Sequence, residues 1–414
     1  MKKLLIENVA DKRRKLAATV LLVLTTLAWP FAQAQAQKRY GPGVTDTEIL
    51  VGQTMPYSGP ISMLGTMGKV AGAYFEKVNA EGGVNGRRIK LLSLDDGYSP
   101  TKTVEQTRRL VEQDEVLLIF NNVGTPTNVA IHQYLNSRKV PQLLIMTGAN
   151  RWNDPKRFPW TLGGMLSYEA EARMYTKHLL ANVKEPRIAV LSQNDDFGRD
   201  FLKGLKGELG ERAKTMIVAE ATYETTDPTV DSQMIQLKAS NANVFMNFSN
   251  GKFTVQSLRR SGELGWVPQV YLPVGSTSIA SILRPAGVER ALGAITISNT
   301  KNPLDPQWRD DPGMKDFQAF MKRYAPTLDA EDSLNISGYS MSMILVEVLR
   351  RCGDDLTREN VMRQMQSLKD FSTPVLLPGV TMTTGADDYE LYGAIRLQRF
   401  DGKSWVPFGG PISR

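Results

Sequence analysis

The feature that most constrains this 414-residue chain is the repeated alternation of a short apolar run, a polar loop and a helix-period segment. The run at 48–55 leads through a Gly-, Pro- and Ser-rich loop at 56–65 into a helical segment at 68–82, closed by Gly82 and Gly83. The same unit recurs at 88–95 with its loop and helix, at 116–120 with a helix to 137, and at 140–146. Strands separated by helices of this length require parallel pairing with right-handed crossovers, so the expected fold is α/β with a doubly wound parallel sheet. In such sheets, ligand-binding loops collect at the carboxyl ends of the strands.

A second series follows the stretch 160–164, which reads as a link between the two. It runs helix 168–180, strand 187–191, helix 199–209, strand 215–219, a helix start at 225–228, strand 244–248, a helix to 262 and strand 269–272. Two series of one plan predict two lobes. The stretch 294–298 and the helices at 315–324, 337–351 and 358–366 read as chain returned to the first lobe. An alternating segment at 389–400, ended by Asp401-Gly402, predicts a strand pair that extends the second. At the second helix of the first series, Ser99 before Pro100 is expected to cap through its hydroxyl.

Residues 1–36 have the layout of a secretory signal peptide: Lys2, Lys3, Lys12, Arg13, Arg14 and Lys15 precede the apolar run 16–31, and alternating Ala and Gln follow. Cleavage is expected after Ala34 or Ala36, with export through the inner membrane into the periplasm and no stable membrane insertion. The single cysteine, Cys352, means that no internal disulfide can form, so a core must hold the fold. The leader carries +4 of the net charge of +7, leaving about +3 on the remaining 378 residues. No basic block with interleaved aromatics remains, and nucleic acid is not expected as a partner.

Catalytic chemistry is hard to find. His132 and His178 lack partners at metal-ligand spacing, and neither a phosphate loop nor a dinucleotide fingerprint is present. The pairs Asp95-Asp96 and Asp195-Asp196 read better as helix caps and loop closures than as acid–base dyads. No catalytic residue, metal or cofactor is expected. The loops instead offer hydrogen-bonding groups: Asn121, Asn122, Thr125, Thr127, Asn128, Thr147 and Asn150. Helix starts expected at Gly124-Thr-Pro-Thr and after Thr147 would add partial positive charge for a carboxylate. Tyr57, Tyr98, Trp152, Tyr168, Phe197, Phe248 and Tyr271 cluster near the same strand ends, where a ligand wall and interlobe packing are equal alternatives. Arg151 can pair with a carboxylate or simply face solvent.

With these elements in place, the chain resembles the type I periplasmic solute-binding proteins of ABC importers, in particular the branched-chain amino-acid (leucine/isoleucine/valine) binding family. The resemblance rests on Gly52-Gln-Thr-Met-Pro-Tyr-Ser-Gly-Pro60, Asn79-Ala-Glu-Gly-Gly-Val-Asn-Gly86, Leu94-Asp-Asp96, Ser99-Pro-x-Lys-Thr103, Gly124-Thr-Pro-Thr, Gly148-Ala149 and Asn194-Asp-Asp-Phe-Gly198. It implies two lobes joined by a three-segment hinge, with 44–162 and 295–371 in the first and 163–294 and 372–414 in the second. It further implies that the lobes close over a branched-chain amino acid or related small carboxylate and that a monomer delivers it to a membrane permease with ATPase subunits. A sensory receptor of the same fold is the alternative.

The ligand set implied by the resemblance comprises Tyr57, Ser58, Val123, Gly124, Thr125, Thr147, Gly148, Ala149, Asn150, Tyr168, Asp196, Phe197, Asn250 and Val274. Asn150 stands where the family usually has threonine, and Asn250 where an aromatic is common. Val274 replaces the acid expected to pair with a ligand ammonium. A buried ammonium without a carboxylate is costly. Either Asp195, Asp196 or Glu169 substitutes, or the ligand is an acid, aromatic or branched, that lacks the amine.

Overall fold

The computed structural model describes residues 38–413, so the expected leader lies outside the described residues. Strand β1 (Glu48–Met55) pairs in parallel with β2 (Arg88–Asp95) along its whole length, from Glu48↔Arg88 to Met55↔Asp95. On its other side come β3 (Leu118–Phe120), β4 (Gln142–Ile145) and β5 (Thr161–Gly163), giving a five-stranded parallel sheet in the order β2-β1-β3-β4-β5. The stretch expected to be a link therefore supplies the fifth strand. Its short backbone is drawn in because the Trp160 carbonyl accepts from the Gln142 amide at 2.7 Å and Gly164 donates to Ile145 at 2.8 Å.

The second sheet contains β6 (Ile188–Gln193), β7 (Ile217–Tyr223), β8 (Val244–Phe248), β9 (Gln269–Tyr271) and β10 (Ile295–Ser298), all parallel. The hairpin β11 (Ala394–Phe400) and β12 (Trp405–Ser413) joins it antiparallel, for a seven-stranded order β12-β11-β10-β9-β8-β6-β7. The expected strand pair is thus present and turns at Asp401-Gly402. Segment 294–298 differs from expectation: it lies between β9 and β11 in the second sheet. Tyr271↔Ile295 pairing holds it there, so the chain leaves for the first lobe only after Ser298.

Helices flank both sheets. Those of the first are α1 (Thr66–Ala80), α2 (Pro100–Glu112) and α3 (Thr125–Ser137), and those of the second are α4 (Tyr168–Asn182), α5 (Asp196–Leu209), α6 (Asp231–Ala239) and α7 (Lys252–Glu263). Helix α5 starts three residues before the expected Arg199, because the Asp195 carboxylate caps it by accepting from the Phe197 amide at 2.9 Å. Ser99 occupies the cap position of α2 but its hydroxyl makes no capping bond; Pro100 alone presets that turn. After β10 the chain builds α8 (Pro312–Tyr324), α9 (Ser333–Cys352) and α10 (Arg358–Met365). Tyr74 of α1 meets Phe320 of α8 and Tyr339 of α9 edge-on at 5.9 and 5.1 Å, which attaches these helices to the first sheet. The chain therefore crosses between the sheets three times.

Trp405 shows how firmly the terminal hairpin is anchored. It is fully buried, packs on Phe400 and donates its indole N–H to the Thr277 carbonyl at 2.7 Å. Trp405→Ala should lower the unfolding free energy by about 3–5 kcal/mol in urea denaturation. A loss below about 1 kcal/mol would show that the hairpin is not part of the cooperative unit.

Candidate functional site

The carboxyl ends of the two sheets face a common cavity with about 980 Å³ free of protein atoms, mouth included. Beyond β3 and β4, parallel pairing continues through a bridge between Val123 and Met146. That bridge sets the next residues side by side, and the Thr125 and Thr147 hydroxyls meet at 2.5 Å. The Tyr168 hydroxyl donates to Thr147 at 3.2 Å, and the Tyr168 amide donates to the Gly148 carbonyl at 2.7 Å. Helix α3 begins at Thr125 itself; Pro126 has no N–H and the Asn128 amide donates to the Gly124 carbonyl at 3.3 Å, which leaves the Thr125 and Thr127 amides as the helix-start donors without intrahelical acceptors. After Thr147 there is only a short 3-10 turn, Asn150–Trp152, so the second expected helix start does not exist.

Of the residues singled out from sequence, Tyr98, Val123, Gly124, Thr125, Tyr168, Phe197, Asn250 and Val274 line the cavity. Thr147 stands directly behind Thr125. Gly148, Ala149 and Asn150 line a neighbouring, more polar hollow instead. Asn150 is tied by its amide to Asp200 at 2.8 Å and by its side chain to Glu169 at 2.6 Å. Tyr57 turns back to Ser93 at 2.6 Å, and Ser58 bonds Asp95 at 2.7 Å, which keeps both off the cavity wall. Asp196 points outward to Arg199 and Arg151. The amides of Asn122 and Asn128 hold the loop in shape, bonding Thr54 and the Gly124 carbonyl.

Sequence reasoning missed most of the apolar wall. Leu64 and Met67, Met146, Met165, Ile297 and Ile395 come from five separate places in the chain. Leu334, Ser337 and Met341 are at helical spacing along one face of α9, a signal visible in the sequence but without a marker of which face is inward. Asn299, Thr300 and Tyr392 come from the crossings between lobes. The aromatic wall is rigid: Tyr168 stacks on Phe201 at 4.6 Å and Phe201 on Phe248 at 4.6 Å, while Phe197 meets Tyr168 edge-on.

No Asp, Glu, Lys, Arg or His among the described residues lines the cavity. The acids nearest in sequence are occupied elsewhere. Asp95 is partly exposed and accepts from an array of donors, Ser58, Gly97 and Lys102, which outweighs desolvation and holds its carboxyl at about 2. Burial pulls Asp195 upward while it caps α5 and accepts from Gln193 at 2.6 Å. Glu169 pairs with Arg173 and Lys203. Burial raises the Tyr168 phenol to about 12, so it presents a neutral hydroxyl. His132 is buried between Trp152 and Phe158 and pushed down to about 4 by desolvation; His178 meets the Tyr271 hydroxyl at 2.9 Å. Among the described residues no group of three His, Cys, Asp or Glu side chains could hold a metal.

One buried acid supports the wall from behind. Glu171 is fully buried, accepts from Tyr175 at 2.5 Å and from the Val274 amide at 2.8 Å, and has its second oxygen unpaired. Burial raises its carboxyl from 4.5 to about 7. The folded state therefore keeps a proton that the unfolded state releases, so stability falls as pH rises from about 4.5 to 7 and levels off above. That fall is about 3 kcal/mol for a shift of this size. Glu171→Gln should abolish this decline in unfolding curves taken between pH 4 and 8; an unchanged slope would show that another group governs it.

A model of the periplasmic binding protein family matches residues 48–404. The Leu/Ile/Val-binding protein homolog 7 of Brucella abortus is 22% identical over 330 residues, covering 77% of this chain and 81% of that protein. Among solved structures, a branched-chain amino acid ABC transporter protein from Thermus thermophilus with bound valine has a TM-score of 0.78 at 15% identity, covering 90% of this chain and 98% of that one. An R. palustris solute-binding protein in complex with benzoate has a TM-score of 0.73 at 17% identity, covering 89% and 98%. With two sheets wound as in these proteins, a cavity between their strand ends and a family match over most of its length, the chain belongs to the periplasmic binding proteins of type I fold, a family that binds solutes for transport rather than transforming them.

Proposed function

We propose that this protein, once exported, captures a small carboxylate with an apolar, partly aromatic body and delivers it to the permease of an ABC importer. The observation that carries the reading is the composition of the cavity wall: the helix-start amide and hydroxyl of Thr125 and the hydroxyl of Tyr168, backed by the Thr147 hydroxyl, and no acidic side chain. Such donors suit a negative group. An ammonium placed in the same space would lose its hydration without a compensating charge. The benzoate held by the R. palustris neighbour is a solute of this kind. A branched-chain amino acid is the second reading, favoured by the name of the Brucella relative and by the valine in the Thermus neighbour.

Closure of two lobes over the solute accounts for several contacts between them. Tyr98 accepts from Gln193 at 3.1 Å, the Lys252 amide donates to the Pro60 carbonyl at 3.1 Å, and Ser278 and Ser281 donate to Asp332 at 2.9 and 2.6 Å. A solute touching both lobes favours this arrangement by its differential affinity for it.

The two readings separate in calorimetry. 4-Methylpentanoate should bind more tightly than leucine, which differs by the added amine; tighter binding of leucine would favour the amino acid and defeat the proposal. Thr125→Ala should weaken binding of the preferred acid by about 1–3 kcal/mol, whereas unchanged affinity would remove its hydroxyl from the site. Small-angle scattering should show a smaller radius of gyration on saturation with that acid, and a constant radius would argue against hinge closure.

A further inference from the structure

Tyr392 stands just before β11, on the third crossing between lobes, and lines the cavity. It is 1% exposed, and its hydroxyl is a buried polar atom with no hydrogen-bond partner. Asn299 lies near without reaching hydrogen-bond geometry. Buried hydroxyls are almost always paired, so an unpaired hydroxyl on a residue that lines a binding cavity bears on what enters that cavity. Burial raises the Tyr392 phenol, which remains a neutral donor and acceptor.

The surroundings are polar but uncharged. Asn299, Thr300 and Ser337 share this wall. The nearest cation in sequence, Lys301, is held by Asp311 and the Pro374 carbonyl, both at 2.7 Å. The wall thus differs from the anion-holding loop at Val123–Thr125, with the methionine and aromatic lining as the remainder of the cavity.

We propose that Tyr392 is a specificity-determining residue, whose hydroxyl reads a neutral polar group, a hydroxyl or carbonyl, carried on the body of the solute away from its carboxylate. The preferred solute is then a two-ended acid rather than a simple apolar one. This deepens the carboxylate reading above and rests on it.

Calorimetry on the full chain tests it with paired probes: benzoate and 4-hydroxybenzoate, 3-phenylpropanoate and 3-(4-hydroxyphenyl)propanoate, hexanoate and 6-hydroxyhexanoate, and the primary amide of each. The wild type should bind at least one hydroxylated acid about tenfold more tightly than its parent. Tyr392→Phe should reduce that preference to less than about twofold while the melting temperature stays unchanged, since its hydroxyl has no hydrogen-bond partner to lose. Thr125→Ala should weaken both members of the pair alike. The proposal is overturned if the wild type shows no preference, if Tyr392→Phe keeps it, or if that variant weakens parent and hydroxylated acid equally. Should the amides bind and the acids not, the carboxylate reading falls while the Tyr392 preference is still decided on the hydroxylated amides; binding of no probe overturns both.

Discussion

Parallel pairing of β1 with β2 over all eight residues of each strand is the constraint from which the site follows. It brings Met55 and Asp95 to one edge, and β3 and β4 extend the same alignment to the bridge between Val123 and Met146. The loops that leave this edge have no choice but to lie together. Thr125 and Thr147, 22 residues apart, share a hydrogen bond because their strands end in register. The second sheet repeats the logic and presents Phe197, Asn250 and Val274 from its own strand ends.

What distinguishes this cavity is how thoroughly the neighbouring charges are used elsewhere. Asp195 caps α5, Asp196 pairs with two arginines, Glu169 joins Arg173, Lys203 and Asn150, and Asp95 closes a loop over Ser58. Glu171, the one acid behind the Val274 loop, spends one oxygen on Tyr175 and the Val274 amide and does not line the cavity. Selection by such a wall works through desolvation. A charged group that would meet neither a counter-charge nor matching donors is disfavoured, and a solute whose polar groups match the fixed amides and hydroxyls is favoured.

The order and type of the main strands were legible because each is a short apolar run bounded by turn residues; 48–55, 88–95 and 244–248 coincide with the observed strands. The loop at Val123–Thr125 was legible for the same reason, as a polar segment at a strand end. The fate of Ile295–Ser298 was not, because four buried residues carry no mark of which sheet they join. Nor was the outward turn of Asn150 and Asp196: their partners, Asp200, Glu169 and Arg151, are brought near only by packing between lobes. Tyr392 fell within the alternating segment 389–400, but the strand begins only at Ala394, and alternation carries no mark of which residue before it meets the cavity.

Backbone strain is present at the same edge, at Tyr98, Asn121 and Leu144. Leu144, in the middle of β4, has φ +56, and a register shift separates Leu143 from Ile145. A bulky residue rarely adopts this conformation, and here the Asn121 side chain holds it by donating to the Leu144 carbonyl at 2.9 Å. The bulge re-aims the chain toward Met146 and Thr147. Tyr98 has φ +61, and its ring lies so close to Gly124 that a Cβ there would fall 2.4 Å from it, which requires glycine beside Thr125. The Tyr98 hydroxyl finds its partner, Gln193, on the opposite lobe. An unusual backbone conformation in the first lobe thus stands beside a hydrogen bond to the second; under the proposed closure over a solute, that one side chain would couple closure to the shape of the loop at Val123–Thr125.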